Sequence, residues 1–410
     1  MADGGEGVRR SLARGVGAAI LAATLLVSAL LTLVPERASG PPDEFLCFTC
    51  STVAAADSLR NVALFVPLGI GVSLLGGGIA RAALVGAGLS GAIEAAQKFL
   101  PGRDSSARDV ATNTLGAMLG ALAWRVVRAR AALGRRTLDL ACAGSAVGFL
   151  GLLLLAAWLF APSLPSDAVW YGGYTMQVGD LAHSQGRLDG AWLGDLPVAR
   201  GRLLDSAAVR QRLADGAPAR VRMLPGPRVE GLAPWFSLVD GRQREIALLG
   251  ANGDALVWRV RTRGRALTFV LNDVRADGFL TGTFGDAPLD LRVEREGNAL
   301  CFERPGLRRC GLGTPAGRGW ALLLSTVPLG ETERAALDAL WLLVLAVPCG
   351  FFLRASPVGF GAAALLGAGL GLAPPLAGLL PARLVEALAA AGGLSLGFLA
   401  ARLAGPARAR

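Results

Sequence analysis

Long apolar runs without charged side chains alternate with short polar segments along most of the chain. Residues 15–34 carry no charge over about 20 positions, which is the length of helix that crosses a ~30 Å hydrocarbon core. Seven further runs have a similar composition, at 61–80, 82–97, 109–127, 138–161, 335–353, 356–380 and 384–404. The pattern therefore predicts eight membrane-spanning helices.

Two of these runs have an alternative interpretation. Arg9, Arg10 and Arg14 precede the first run, as basic residues do in a signal peptide. The apolar part of a signal peptide is only about 7–15 residues long, so an uncleaved helix is favoured. The pair Pro374-Pro375 in the seventh run permits a re-entrant or broken helix in place of a crossing one.

The segment from residue 162 to residue 330 has a different pattern, with frequent charges and no long apolar run. Apolar residues alternate with Arg259 and Arg261 in 256–263, and a similar alternation occurs in 289–294. A period of two is typical of half-buried strands. Turn sequences separate the strands at 225–227, 252–253 and 277–278. The segment is therefore predicted to form an all-β sandwich.

Composition supports a membrane protein. Apolar residues make up 53% of the 410-residue chain and charged residues 18%, whereas soluble domains have roughly 45–50% and about 25%. This composition excludes a disordered chain and an ordinary soluble enzyme.

The chain has a net charge of +10, and its basic residues are distributed as in a multi-pass membrane protein. Basic residues cluster at the N-terminus, at Arg81, in 125–136, at Arg354 and in the C-terminal tail. If every run crosses once, all of these lie on one side, which the positive-inside rule identifies as the cytoplasm. Both termini are then cytoplasmic and the β-sandwich is extracytoplasmic. Since topology accounts for most of the basic excess, no nucleic-acid partner is predicted.

These patterns predict a mixed fold, a polytopic α-helical membrane protein of about eight spans with an inserted all-β sandwich of the jelly-roll kind. The predicted parts are a cytoplasmic N-terminus (1–14), a four-helix membrane domain (15–136), a fifth span (137–161), the β-sandwich (162–330), a three-span membrane segment (335–404) and a cytoplasmic tail (405–410).

Polar side chains concentrate at one predicted boundary of the four-helix domain. Members of each group are spaced at helical intervals and so share one helix face. Because successive spans alternate in direction, the groups meet near the outer membrane surface. They are Asp57 and Asn61 on the second span, Ser90, Glu94 and Gln97 on the third, and Arg103, Arg108, Asp109 and Asn113 before and within the fourth.

An ionised Glu94 inside a membrane segment costs at least a few kcal/mol unless it is paired. We therefore expect Glu94 to pair with Arg103 or Arg108, and Gln97 and Asn113 to complete the hydrogen bonds. Structural roles are the alternative. Asp57 would cap the second helix, Ser106 and Asp109 would form a capping box, Ser90 and Asn113 would bond neighbouring helices, and Gly116 and Gly120 would form a packing face.

The polar groups carry a resemblance to a known family. The succession D-x3-N-V-x-L-F-x-P-L-G (57–69), S-x3-E-x2-Q (90–97) and R-x4-R-D-x3-N-x2-G-x3-G (103–120) resembles the VanZ-like membrane proteins over roughly residues 12–130. The resemblance implies a bacterial inner-membrane protein with an envelope role, chiefly resistance to glycopeptides that bind cell-wall precursors. It places the family's recurrent polar residues on Asp57, Asn61, Glu94, Gln97, Arg103, Arg108, Asp109 and Asn113. The large outer segment and four extra spans depart from the minimal family pattern.

The β-segment is similar to laminin G-like and concanavalin A-like jelly rolls, mainly in residues 236–264. Such domains often bind glycans, and many others are structural spacers. The sequence leaves both roles open.

Cysteine spacing predicts disulfides rather than metal sites. Cys301 and Cys310 flank a turn in the predicted outer segment, where a disulfide is expected. Cys47 and Cys50 form a CxxC in the first outer loop; without a second cysteine pair or a nearby histidine, a small disulfide is favoured over zinc. His183 is the only histidine. No cofactor motif is recognised, so no cofactor is predicted.

The sequence supports a protein that recognises an envelope glycan or a lipid-linked cell-wall precursor at the outer membrane surface, with membrane lipid as a further partner. A membrane enzyme is the alternative, with Glu94 as general acid or base on a lipid-linked substrate. A scaffold whose polar cluster only joins helices, and a transporter, are the remaining hypotheses.

Overall fold

The computed structural model describes residues 3–34, 51–101, 103, 105–179, 181–326 and 329–403. Within them, ten α-helices form: α1 (Asp3–Thr32), α2 (Ala54–Leu74), α3 (Ile79–Gln97), α4 (Ala107–Ala129), α5 (Arg135–Phe160), α6 (Ser206–Ala214), α7 (Arg263–Ala266), α8 (Glu331–Phe352), α9 (Pro357–Leu376) and α10 (Leu384–Leu403). All but α6 and α7 are long and apolar enough to cross a membrane, and the eight predicted spans are thereby confirmed.

The second helix begins earlier than its apolar run, at Ala54 instead of residue 61. Asp57, which precedes the apolar run, therefore lies inside α2 together with Asn61. Asp57 pairs there with Arg60, one turn along the helix. The chain divides into two compact units, Met1–Leu138 with Leu399–Arg410, and Asp139–Phe398.

Glycine brings α2 and α4 of the first unit into close contact. A Cβ atom on Gly69 would lie 1.9 Å from the carbonyl oxygen of Ala117, and one on Gly120 would lie 2.0 Å from that of Val66. Gly116 makes a similar approach to Val62. Small residues are needed where helix backbones touch, since lipid supplies no hydrophobic drive between helices. The packing role considered for Gly116 and Gly120 therefore matches the structure.

The segment inserted between α5 and α8 is a two-sheet β-sandwich. Its strands are β1 (Trp170–Tyr174), β2 (Arg187–Leu193), β3 (Leu196–Pro197), β4 (Gly201–Arg202), β5 (Ala219–Leu224), β6 (Leu232–Asp240), β7 (Glu245–Asn252), β8 (Ala255–Val260), β9 (Val274–Ala276), β10 (Leu289–Glu296), β11 (Ala299–Arg304) and β12 (Leu307–Leu312). One sheet has the order β4-β1-β6-β7-β8-β9 and the other β12-β11-β10-β5-β2-β3. Their ladders are antiparallel, and the core lies between them.

The alternation predicted a half-buried strand at 256–263, and this is wrong for β8. Every residue of β8 except Val260 is buried, including Arg259. Arg259 donates to Asp273 at 2.5 Å and to Glu245 at 3.2 Å. Burial raises the pKa of Glu245, against the opposing influence of Arg259. The face of β8 that the pattern assigned to solvent is thus buried, with Val257 in an apolar cluster and Arg259 in ion pairs. By contrast, β10 does alternate as expected.

Cys301 on β11 and Cys310 on β12 form a disulfide across the hairpin that joins these two strands. Cys142 and Cys349 are free and buried in the helical part of the second unit, with their sulfur atoms 3.9 Å apart. Both belong to the apolar core of these helices, where a free cysteine acts as a packing residue.

The sandwich and the helices of the second unit are joined through α9. Ser356, before α9, donates to Asp139 in the first turns of α5 at 2.8 Å. At the other end, Asn298 between β10 and β11 donates to the carbonyl oxygens of Pro375 and Leu379, at 2.6 and 3.1 Å. The helix α9 therefore extends between the start of α5 and the sandwich, as a crossing helix does. Pro374 and Pro375 lie in its last turn and do not break it.

We predict that Gly120→Ala lowers the stability of the membrane module, by about 1–3 kcal/mol, because overpacking forces backbones apart. Gly91→Ala in α3 is the matched control, since a Cβ there meets open space. Thermal unfolding of the purified chain, followed by size-exclusion chromatography, compares the two. Equal melting temperatures for both variants would contradict the close α2–α4 contact.

We predict that replacing both Cys301 and Cys310 by Ala lowers the free energy of unfolding of the sandwich by about 2–3 kcal/mol, because a short loop is no longer closed in the unfolded chain. Thermal unfolding monitored by near-ultraviolet circular dichroism measures the loss. A reductant should destabilise the wild type and leave the double variant unchanged. Alkylation of both thiols in the unreduced wild type would refute the disulfide.

Candidate functional site

The start of α2, the end of α3 and the start of α4 converge at one end of the first unit. A buried hydrogen bond from Asn113 Nδ2 to Ser90 Oγ, 2.9 Å long, joins α4 to α3. One turn further along α3, Glu94 Oε2 accepts from the backbone N–H of Ser106 at 2.6 Å. The three polar groups predicted to meet do lie together; we call them, with Ser28, Ser105 and Ser106, the end cluster.

Glu94 is held by a helix end rather than by an arginine. Its side chain is 3% exposed, and no ion pair with Arg103 or Arg108 occurs among the described residues. The expected ion pair is therefore wrong. Ser106 is the N-cap of α4, and the first N–H groups of a helix have no partner within it. A carboxylate there gains both a hydrogen bond and a favourable helix dipole.

Ser106 and Asp109 form half of the predicted capping box. Ser106 Oγ accepts from the Asp109 N–H at 3.3 Å. In a complete box the carboxylate three residues later would accept from the Ser106 N–H. Here the acceptor for the Ser106 N–H is Glu94, which belongs to a different helix, α3. The carboxylate of Asp109 faces Asn61, Asp57 and Arg108 instead.

Arg103 and Gln97 bind the end of α1. Arg103 donates from Nε to the Val34 carbonyl at 2.9 Å and from Nη2 to the Leu31 carbonyl at 3.1 Å. Gln97 Nε2 donates to the Thr32 carbonyl at 3.0 Å. The last carbonyl groups of a helix lack internal partners and favour cations. These two side chains therefore fasten α1 to the end cluster.

Asp57 is paired within its own helix. It accepts from Ser51 and forms an ion pair with Arg60, one turn along α2. Arg60 was not among the predicted site residues, although an i,i+3 spacing to Asp57 is a recognisable signal. Arg108, at the start of α4, is partly buried.

Five buried polar atoms of the end cluster have no hydrogen-bond partner among the described residues. They are Ser28 Oγ, Asn61 Nδ2, Gln97 Oε1, Ser105 Oγ and Asn113 Oδ1. They come from α1, α2, α3, α4 and the segment before α4. Buried polar groups are nearly always bonded in native proteins, so a concentration of exceptions needs an explanation. Ordered water or a polar ligand is able to satisfy atoms of this kind.

The cysteines and the histidine that the sequence analysis discussed do not form a further site among the described residues. Cys47 and Cys50 lie outside the described residues. His183 is exposed on the sandwich. Glu296 lies near Cys301 and Cys310, but both sulfur atoms are in the disulfide and cannot act as thiolate ligands.

A second polar cluster was missed by the sequence reasoning. Asp338 in α8 and Glu386 in α10 are fully buried and are bonded to Arg318 and Arg383. Both carboxylates fall inside predicted spans, at 335–353 and 384–404. An acid within an apolar run indicates a buried partner, and the same signal had already singled out Glu94.

We predict that Glu94→Leu lowers the stability of the membrane module by about 1–3 kcal/mol, because the Ser106 N–H loses its acceptor in a buried position. Glu94→Gln should cost less than about 1 kcal/mol, since its amide oxygen still accepts. Thermal unfolding of the two purified variants measures the difference. If Gln proved as damaging as Leu, the charge of Glu94 would matter more than its hydrogen bond, and a cation would have to be its partner.

Comparison with curated proteins and with solved structures finds no match to the chain. A family model does match part of it, residues 19–128, and is described as VanZ/LLP1. The matched residues run from α1 through most of α4 and contain all eight predicted binding residues of the end cluster. The helical module in the first unit of this membrane protein is therefore VanZ-like.

Proposed function

We propose that the VanZ-like module binds the polar head group of a lipid-linked envelope molecule at the membrane surface. The observation that carries this proposal is the group of five unpartnered polar atoms in the end cluster. They belong to residues from four helices and one connecting segment, at one end of a helix bundle. A head group that enters there would complete their hydrogen bonds and leave its lipid part in the bilayer.

The chemistry of these atoms favours hydroxyl and amide groups on the ligand. Asn61 Nδ2 is a donor, Gln97 Oε1 and Asn113 Oδ1 are acceptors, and Ser28 and Ser105 offer hydroxyls that do both. Sugars and peptides present donors and acceptors in this mixture. A lipid-linked cell-wall precursor combines both chemistries with a membrane anchor, and such precursors are what glycopeptides bind. The proposal thus connects the VanZ/LLP1 match with a role in glycopeptide resistance.

The β-sandwich has a supporting role in the proposal, as a contact for an envelope glycan. Its β2-β5-β10 surface carries Arg220 and Arg222, both paired with Asp290. Arg220 also lies over the ring of Trp192, 5.7 Å from its centre. The ring itself is covered by Arg220 and lies against the backbone at Gly190, so a glycan hydroxyl would bind to the exposed Arg222 and Asp290 groups of this surface.

The proposed location is the bacterial cytoplasmic membrane, with both termini in the cytoplasm and the sandwich outside. The arginine distribution supports this orientation. The enzyme alternative gains no support from the described contacts, because the Glu94 carboxylate accepts from a backbone N–H and is almost fully buried.

We predict that Asn61→Leu weakens precursor binding at least tenfold, which corresponds to about 1.4 kcal/mol. Asn61 also lies against the Asp109 carboxylate, to which its amide can donate. The melting temperature of the variant is therefore measured beside its binding, and weaker binding supports the proposal where the variant remains folded. Binding is measured with the full chain in lipid nanodiscs and a radiolabelled lipid-linked cell-wall precursor.

Thr114→Val is the matched control, since the Thr114 hydroxyl donates only within α4, to the Val110 carbonyl. It should bind like the wild type. Absence of precursor binding by the wild type, or equal binding by wild type and Asn61→Leu, would overturn the proposal.

A further inference from the structure

A cavity of about 530 Å³ lies in the second unit, between the β-sandwich and the first turns of α8 and α10. Its size falls within the ~300–1,000 Å³ range of ligand pockets. Four arginine side chains contribute to its wall, against two carboxylates, Asp273 and Glu331. The arginines are Arg275, Arg318, Arg334 and Arg383.

The fully buried carboxylates of Asp338 and Glu386 hold Arg318 and Arg383 in place. Asp338 accepts from Arg318 at 2.7 and 3.0 Å, from Trp320 at 2.8 Å and from Arg383 at 2.5 Å. Glu386 accepts from the Gly317 N–H at 3.0 Å and from the Arg383 N–H at 2.7 Å. Both acids are 0% exposed. These two carboxylates bind the guanidinium groups, and neither carboxylate lines the cavity.

The two carboxylates in the wall are also engaged. Asp273 accepts from Arg259 at 2.5 Å, and Glu331 pairs with Arg309 at 2.9 Å. Neither Arg259 nor Arg309 lines the cavity. Arg275 and Arg334 both pair with Asp277, so each of the four arginines is engaged by a carboxylate. Among the groups that line the cavity itself, four guanidinium groups stand against two carboxylates, and this balance favours an anion.

Arg383 retains donors for that anion. Among the described residues, its side chain donates through Nη2 alone, to Asp338 and Glu386, and is 41% exposed. Its Nε and Nη1 have no acceptor in that part of the chain, and Arg383 lines the cavity. Arg318 likewise uses Nε and Nη2 and keeps Nη1. Guanidinium groups that are fixed in position bind phosphate oxygens well, because their N–H fork matches the geometry of the anion.

A cleft with both apolar and polar lining adjoins this cavity, and Gly313 lines both. Its apolar lining includes Phe160 at the end of α5 and Trp258, Val260 and Leu300 of the sandwich. Its polar lining is formed by Thr262, Asn272, Arg295, Asn298 and Thr314. An acyl chain would lie along the apolar side of this cleft.

We propose that the cavity and the cleft together bind an anionic phospholipid, with its phosphate on Arg383 and Arg318 and an acyl chain along Trp258 and Phe160. This site lies in the second unit and is independent of the function proposed for the end cluster. Its occupant is a membrane phospholipid, and a free phosphate ion is the alternative that the test separates.

The test uses the full chain in nanodiscs of phosphatidylcholine, to which phosphatidic acid with a diazirine in its acyl chain is added. We expect photolabel in peptides that contain Trp258 and Gly378, and a raised melting temperature that phosphatidylcholine alone does not produce. Inorganic phosphate at the same concentration should produce little of this shift. A full shift with inorganic phosphate, or a wild type without photolabel in these peptides, would overturn the proposal.

Two variants of Arg383 separate binding from folding. Arg383→Lys keeps a cation for Asp338 and Glu386 but loses the N–H fork; we expect roughly tenfold weaker photolabelling at an unchanged melting temperature in phosphatidylcholine. Arg383→Gln should lose the label and also some stability. Arg228→Lys, between β5 and β6 and paired with Glu230 and Asp254, is the control and should label like the wild type. Undiminished labelling of Arg383→Lys would refute the assignment.

Discussion

A membrane helix leaves its first N–H groups and last carbonyl groups without partners, and lipid offers none. In this protein, side chains of neighbouring helices supply those partners. Glu94 of α3 binds the first N–H at the start of α4, and Arg103 binds the carbonyls at the end of α1. Acidic groups thus lie at helix starts and a basic group at a helix end, which is the arrangement that the helix dipole favours.

In the second unit, too, side chains bind backbone groups that have no partner within a helix. Glu386 accepts from two backbone N–H groups, those of Gly317 and Arg383, and Asn298 donates to the carbonyls that end α9. These contacts fasten the β-sandwich to the helix ends. They also immobilise the guanidinium groups of Arg318 and Arg383 beside a cavity. The carboxylates that bind backbone N–H groups in the second unit thus also hold these arginines beside the cavity. In the first unit, Gln97 Oε1 and Asn113 Oδ1 remain without a partner among the described residues.

Periodicity was sufficient to predict the architecture, because the length of an apolar run and a period of two are local properties. It also placed Asp57, Asn61, Glu94 and Asn113 at one end of the bundle, since successive crossings alternate in direction. The partner of Glu94 was not predictable in this way. It is a backbone N–H, which every residue but proline carries, so no side-chain pattern identifies it. The burial of Arg259 depends on Asp273 and Glu245, which come from neighbouring segments of the sheet. The Asp338–Arg383 contact joins residues 45 positions apart, so the sequence could not identify this partner. An acidic residue inside an apolar run nevertheless indicates that some buried partner exists.

The central claim is that the end cluster of the VanZ-like module is an incomplete polar site that a head group completes. A high-resolution electron cryomicroscopy map of the full chain in nanodiscs, with the lipid-linked cell-wall precursor present, tests it most directly. We expect density outside the protein chain within hydrogen-bond distance of Gln97 Oε1 and Asn113 Oδ1. A map in which these two atoms bond to each other or to other side chains, with no room for a ligand, would contradict the proposed site.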